Sequence, residues 1–436
     1  MRRPSARTFR LAATIAASAA VAACGLSSAG NNSNALLAGP SGQPITVGIS
    51  EPLSGPLQAQ GFEADGQACL RGYRLWASDV NSHGGLLGRP VKLIVMNDEG
   101  WIRSTTYDYN WLIKHDHVDL TLAPFSSLLT AAAAGPVTKL LHYALAAGQA
   151  GAPNVYQLSD HYMFSTNVPV AIQMVPFAKW VTSLPPSERP TTAAYPIVNN
   201  PFSVPPVKAT QATFEHAGIK TVLRPLVTKQ GIGYLNLSPS ALKKDANAVV
   251  DSGAQVVVLG SVDVPTVAAF MNQFAARNYH PKIFIAAAGP DQGQQFLNQV
   301  GTNSAIGAMV PNGWYGGFPN ALSHIMVQDY IAKYGGTASE INADVAESYS
   351  AGETLQAAVE ATGGTVQPTL ATWLHSHTIQ TVIGPVAFSS DGANTQTKTS
   401  ATIFQWQPTA GGTGARFVQV LPGPPALGAV DPLPVR

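Results

Sequence analysis

From Ile45 onward, short β-branched runs alternate with amphipathic stretches, and this alternation restricts the fold more than any other feature of the chain. Pro44-Ile-Thr-Val-Gly-Ile-Ser50 reads as a strand, 61–82 as a helix stopped by Gly84-Gly85, and 91–96 as a second strand. The pattern continues with helix 105–115, strand 118–123, helix 127–141 and strand 143–146. It resumes with strand 192–198, helix 205–217, strand 221–226, helix 238–252, strand 255–260, helix 265–277 and strand 282–287. Strands separated by helices form βαβ units, and such units give largely parallel sheets. Val256-Val-Val-Leu259 and Ile283-Phe-Ile285 are unbroken apolar runs, as required when helices cover both faces of a sheet. After Pro311 the pattern turns helical, at 321–334, 342–362 and 369–375, and ends with strands at 384–388, 401–406 and 417–420.

The first residues are of another kind. Arg2, Arg3, Arg7 and Arg10 precede an apolar run, Leu11 to Ala23, too short for an ordinary membrane span. Val21-Ala-Ala-Cys24 follows and resembles a bacterial lipobox. That resemblance implies a signal peptide at 1–23, a lipidated Cys24 and a mature chain outside the cytoplasm, anchored to the outer face of the cell membrane by lipid alone. Residues 24–42, rich in Gly, Ser, Asn and Ala, read as a flexible tether, and 423–436 as a Pro-rich tail.

Of the 436 residues 45% are hydrophobic and 11% charged, with a net charge of +1, which gives no long-range pull toward nucleic acid. The length suits two domains. Of two cysteines, Cys69 falls within an apolar helical pattern and reads as a buried, inert thiol. His115/His117 and His375/His377 are spaced to share one side of a strand, but each pair is too few for a metal. No nucleophile elbow, phosphate loop or dinucleotide fingerprint occurs, so no enzyme, cofactor or metal is expected.

Five segments, in order, resemble the type I periplasmic binding proteins, in the branch of branched-chain amino acid and amide receptors of ABC transporters. They are Ile45-Thr-Val-Gly-Ile-Ser-Glu-Pro-Leu-Ser-Gly55, Asp79-Val-Asn-Ser-His-Gly-Gly-Leu-Leu-Gly-Arg-Pro-Val-Lys-Leu93, Asn97-Asp98-Glu99, Phe164-Ser-Thr166 and Val382-Ile-Gly-Pro-Val-Ala-Phe-Ser-Ser-Asp-Gly392. The resemblance implies two Rossmann-like α/β lobes joined by three crossover strands, with ligand held between them. Carried onto this chain, lobe one is 43–166 plus 289–383 and lobe two is 167–288 plus 384–422.

The resemblance also implies where ligand contacts lie. Ser126 and Ser127 precede a helix, where free backbone N–H groups and a hydroxyl suit a ligand carboxylate. An N-cap is the plainer role. Ala147-Gly148-Gln149 matches a second ligand-facing loop, with Gly148 allowing close backbone approach. Leu53 and Ser54 are candidates in the first loop. Asn199, Asn200 and Phe202 stand across the cleft. Asp263 is the first candidate to pair with a ligand ammonium, with a helix cap as its alternative, and Asp291 is the second. Trp101, Trp314 and Tyr315 could wall the cleft or simply pack. The low charge of these loops argues against a highly charged solute. The expected function is capture of a small polar solute, a branched-chain amino acid or related amide, by a monomer that delivers it to an ABC permease. A sensory ligand-binding protein and a secreted α/β hydrolase are the alternatives.

Overall fold

The computed structural model describes residues 40–56, 61–223, 235, 237–396 and 402–422. The signal segment with Cys24, nearly all of the tether and the Pro-rich tail lie outside the described residues. So does the end of the strand expected at 221–226.

Two sheets carry the fold. The first contains β1 (Ile45–Glu51), β2 (Val91–Asn97), β3 (Leu120–Leu122), β4 (Leu145–Ala147) and β5 (Met163–Ser165). Its order is β2-β1-β3-β4-β5 and every pairing is parallel. The second is built from β6 (Thr192–Ala194), β7 (Lys220–Leu223), β8 (Val256–Leu259), β9 (Ile283–Ala286) and β10 (Ala308–Asn312). A small hairpin of β11 (Ile379–Thr381) and β12 (Gly384–Val386) stands apart, and β13 (Thr402–Pro408) and β14 (Ala415–Leu421) complete the second sheet. Its order is β14-β13-β10-β9-β8-β6-β7, parallel except where β13 meets β10 and β14. Every residue of β8 and β9 is buried, as expected for strands covered on both faces.

Sheet membership moves two of the expected lobe boundaries. Residues 289–312 were expected in lobe one, yet β10 pairs with β9, so the second crossing follows Asn312. Pro311 hid this strand, because a proline within an apolar run reads as a breaker. Residues 384–396 were expected in lobe two. Instead Val386 and Phe388 pack in the core of the first sheet with Phe164 and Leu374, while the chain from Thr402 joins the second sheet. The described residues on either side of this change of sheet lie against the first two crossings: Asn394 Nδ2 donates to the Thr166 carbonyl at 2.9 Å, and Thr402 Oγ1 to that of Asn312 at 2.5 Å.

The helix expected at 127–141 is interrupted by a π-helical turn at Thr130–Ala134. Pro136 stands just beyond it and lacks the N–H that an α-helical ladder needs, so the ladder widens there. Helix Val175–Ser183 and helix Gly293–Val300 add to the pattern read from sequence.

The first lobe is held by helix Phe62–Ser82 lying along helix Ala343–Thr362. Both helices carry a glycine where they meet. A Cβ on Gly72 would stand 2.2 Å from the Val345 carbonyl oxygen, and one on Gly352 would stand 2.4 Å from the Trp76 ring. Trp76 is wholly buried and its Nε1 donates to Gln356 Oε1 at 3.1 Å. Cys69 is buried on the same helix as a free thiol. Since backbone cannot yield as a side chain tip can, Gly72→Ala should cost about 2–3 kcal/mol of stability, read by denaturant unfolding.

Candidate functional site

A cleft of about 760 Å³ opens where the C-terminal ends of both sheets meet. This is where open α/β sheets present their loops to ligands. From the first lobe it is lined by Phe62, Asp65, Phe125, Ser126, Ser127, Gln149, Asp344 and Glu347. From the second it is lined by Gln173, Asn200, Phe202, Val262, Asp291, Gln292 and Pro311. Crossover residues Asn167, Val168, Asn312, Gly313 and Thr402 close its floor. The Phe62 and Phe125 rings meet edge to face, 5.4 Å apart at 84°.

Of the residues expected from sequence, Ser126, Ser127, Gln149, Asn200, Phe202 and Asp291 come together here. Their states differ. Ser126 Oγ makes no hydrogen bond although Ser126 is only 9% exposed. Ser127 Oγ is engaged, donating to the Gln149 carbonyl at 3.4 Å and accepting from the Ala152 N–H at 3.2 Å. Asn200 Oδ1 accepts from the Phe202 N–H at 2.9 Å, which shapes that turn.

The other candidates are placed elsewhere. Leu53 N–H donates to Asn97 Oδ1 and Asn97 Nδ2 to Ser54 Oγ, so both belong to a local turn at the end of β1. Trp101 is 54% exposed at the start of helix Ile102–Lys114, away from the cleft. Ala147 is buried within β4. Gly148 does permit a close approach, but to protein: its Cβ would fall 2.6 Å from the Glu347 carbonyl oxygen. Trp314 is buried with Nε1 on Ser323 Oγ at 2.7 Å, and Tyr315 packs on Phe404. Asp263 caps its helix, Oδ1 accepting from the Thr266 N–H at 2.6 Å. It stands behind the lining at Gly61, and its Oδ2 has no partner. His115 and His377 are exposed and stack on Trp111 and Trp373.

The acids that dominate the cleft were not among the candidates. Asp65 sits in the first turn of helix Phe62–Ser82, and Asp344 and Glu347 in the first turns of helix Ala343–Thr362. Their helical positions looked like ordinary charged faces in the sequence, and only the packing of the two helices turns them inward. The candidate loops do carry little charge, but the helices behind them bring three further carboxyl groups to the cleft. Acids in a helix's first turn also complement its dipole.

Burial raises every one of these carboxyls. Burial, helped by Asp291, lifts Asp344 to about 7. Burial alone lifts Asp291 to about 6 and Asp263 to about 6. Asp65 is raised well above the usual range by burial and then by Asp344, Asp263 and Asp291. Glu347 follows, raised by burial and then by Asp344 and Asp291. Polar support is modest: Gln292 Nε2 reaches Asp344 Oδ2 at 3.4 Å and Asn167 Nδ2 reaches Glu347 Oε2 at 3.3 Å. Among the described residues no lysine, arginine or histidine lines the cleft. Among them, too, no group of three or more His, Cys, Asp or Glu is arranged to hold a metal.

A carboxyl raised in the folded state keeps a proton that the unfolded chain has lost. Stability from these groups is therefore present at low pH and lost as pH rises from about 4 through the folded values near 6 and 7. The melting temperature of ligand-free protein should fall between about pH 5 and 8, and Asp344→Asn should flatten that slope. An unchanged slope would remove Asp344 as a titrating group.

The fold matches that of known proteins. The leucine-binding protein LivK of Thermotoga maritima superposes with a TM-score of 0.68 at 13% identity, over 86% of this chain and 97% of its own. LivJ of Streptococcus pneumoniae, solved with isoleucine, gives 0.66 at 16% identity, over 86% and 100%. A solute-binding protein of an ABC transporter from Rhodopseudomonas palustris, solved with 3,4-dihydroxybenzoic acid, gives 0.68 at 14%, over 89% and 98%. No curated protein matches by sequence. The profile of the periplasmic binding protein family matches residues 44–413, most of the sequence, and the chain belongs to that family.

Proposed function

We propose that this protein is the extracytoplasmic solute-capturing component of an ABC importer, and that its solute is a small polar molecule bearing a protonated amine. The observation that carries this reading is the inter-lobe cleft, in which Ser126 and Gln149 stand beside the carboxyl groups of Asp65, Asp291, Asp344 and Glu347. An acid-lined, desolvated cleft attracts an ammonium group and repels a carboxylate. It therefore favours amino acids and amine-bearing amides over aromatic acids of the kind bound by the Rhodopseudomonas palustris protein. Capture is closure of two lobes about the crossings near Thr166 and Asn312, driven by ligand contacts to both faces. The reading includes no catalysed reaction. It includes a monomer held at the membrane by lipid on Cys24 and a permease as delivery partner. Among the described residues no helix is long and apolar enough to cross a membrane. Incorporation of labelled fatty acid into the wild type, and its loss in Cys24→Ala, tests the anchor.

Purified protein should be screened by thermal shift against amino acids and their amides. A ligand at about a thousand times its dissociation constant adds about 4 kcal/mol and raises the melting point by several degrees. For the ligand so found, Asp291→Asn and Ser126→Ala should each weaken binding, by about tenfold for the acid. Asp263→Ala should instead lower stability by about 1 kcal/mol as a lost helix cap, with a smaller change in affinity. No rise with any amine-bearing solute would end this reading while leaving the family intact.

A further inference from the structure

Among the described residues the cleft gathers acceptor groups from both lobes without a lysine, arginine or histidine to answer them. Asp65, Asp291, Asp344 and Glu347 line it from both lobes. Gln173, 9% exposed, adds another acceptor: its Nε2 is committed to Asn167 Oδ1 at 3.4 Å and the Val168 carbonyl at 3.3 Å, and its Oε1 has no partner. Because both neighbours are acceptors, the amide cannot be turned the other way, and the free atom is the oxygen. Ser126 Oγ, likewise buried and without a partner, can also accept. Asp263 Oδ2 lies without a partner just behind Asp65. The Phe62–Phe125 pair and Phe202 supply an apolar flank, suited to a methylene stem and to a cation over a ring face.

A zwitterionic amino acid answers this cleft poorly. It brings one ammonium together with a carboxylate, so its net charge is zero and its acidic end must sit among four acids. We propose that the natural solute is net cationic, with two protonated nitrogens joined by an apolar stem, of the linear diamine or basic amino acid type. Each ammonium supplies three donors and one positive charge, and two of them answer both the surplus of acceptors and the like charges that face each other across the lobes. The inference rests on the inter-lobe cleft being the solute site and narrows which solute it takes.

Titration calorimetry at about pH 8, above the folded values of Asp291 near 6 and Asp344 near 7, distinguishes the possibilities. The probes are putrescine, L-lysine, L-leucine and benzoate on purified wild-type protein. Putrescine or L-lysine should bind at least about tenfold tighter than L-leucine, with no binding of benzoate. Asp344→Asn and Glu347→Gln should each weaken that binding about tenfold or more. Asp251→Asn, an exposed acid paired with Arg277 outside the cleft, should leave it unchanged. Circular dichroism of each variant guards against simple unfolding. Tighter binding of L-leucine than of both cationic probes overturns this inference and leaves the amine-receptor reading standing. Binding of benzoate alone overturns both. No binding of either cationic probe also overturns the inference.

Discussion

Three of the four acids that line the cleft are placed there by how closely two helices approach. Helix Phe62–Ser82 and helix Ala343–Thr362 are far apart in sequence, and the bare Cα of Gly72 against the Val345 carbonyl lets them lie side by side. Both begin at the cleft, so their first turns bring Asp65, Asp344 and Glu347 to one place. Gly148 does the same from the sheet, letting the end of β4 rest on the backbone of Glu347. Packing thus sets charge: acids that either helix alone would leave in water are desolvated because the backbones meet so tightly. A side chain at either glycine would move the carboxylates as well as loosen the core.

The same arrangement explains what could be read from the sequence. The alternation of strands and helices, and the all-buried runs at β8 and β9, report local periodicity and were legible directly. The loops after strands were legible too, since ligand-facing loops follow strand ends in such sheets, and Ser126, Gln149, Asn200 and Asp291 were found that way. Two kinds of feature were not legible. Strand β10 is masked by Pro311, and with it the place where the chain returns to the first lobe. The acids on the helices carry no local mark, because their burial depends on partners some 280 positions away, as Asp65 and Asp344 are. Leu53, Ser54 and Trp101 mark the opposite error, loop residues that match in sequence position but bond to their own turn or face solvent.

Electrostatically the two lobes are alike where they should be complementary. Asp291 and Asp263 belong to one, Asp65, Asp344 and Glu347 to the other, and each group is raised first by burial and, for most, then by another acid. Protons on these carboxyls relieve the like charges that ionisation would bring together in the cleft. Affinity and its pH dependence report on the same carboxylates.

The second sheet has a further consequence. Its strand β10 pairs on one side with β9, only some twenty residues before it, and on the other with β13, which begins at Thr402 after the whole return through the first lobe. Until that last stretch of chain arrives, β10 is an open edge with unpaired backbone groups, and the first lobe likewise awaits helix Ala343–Thr362. Neither half can finish before the other is nearly made. Pairings between such distant stretches carry a large loop-closure cost, which makes them slow steps in folding.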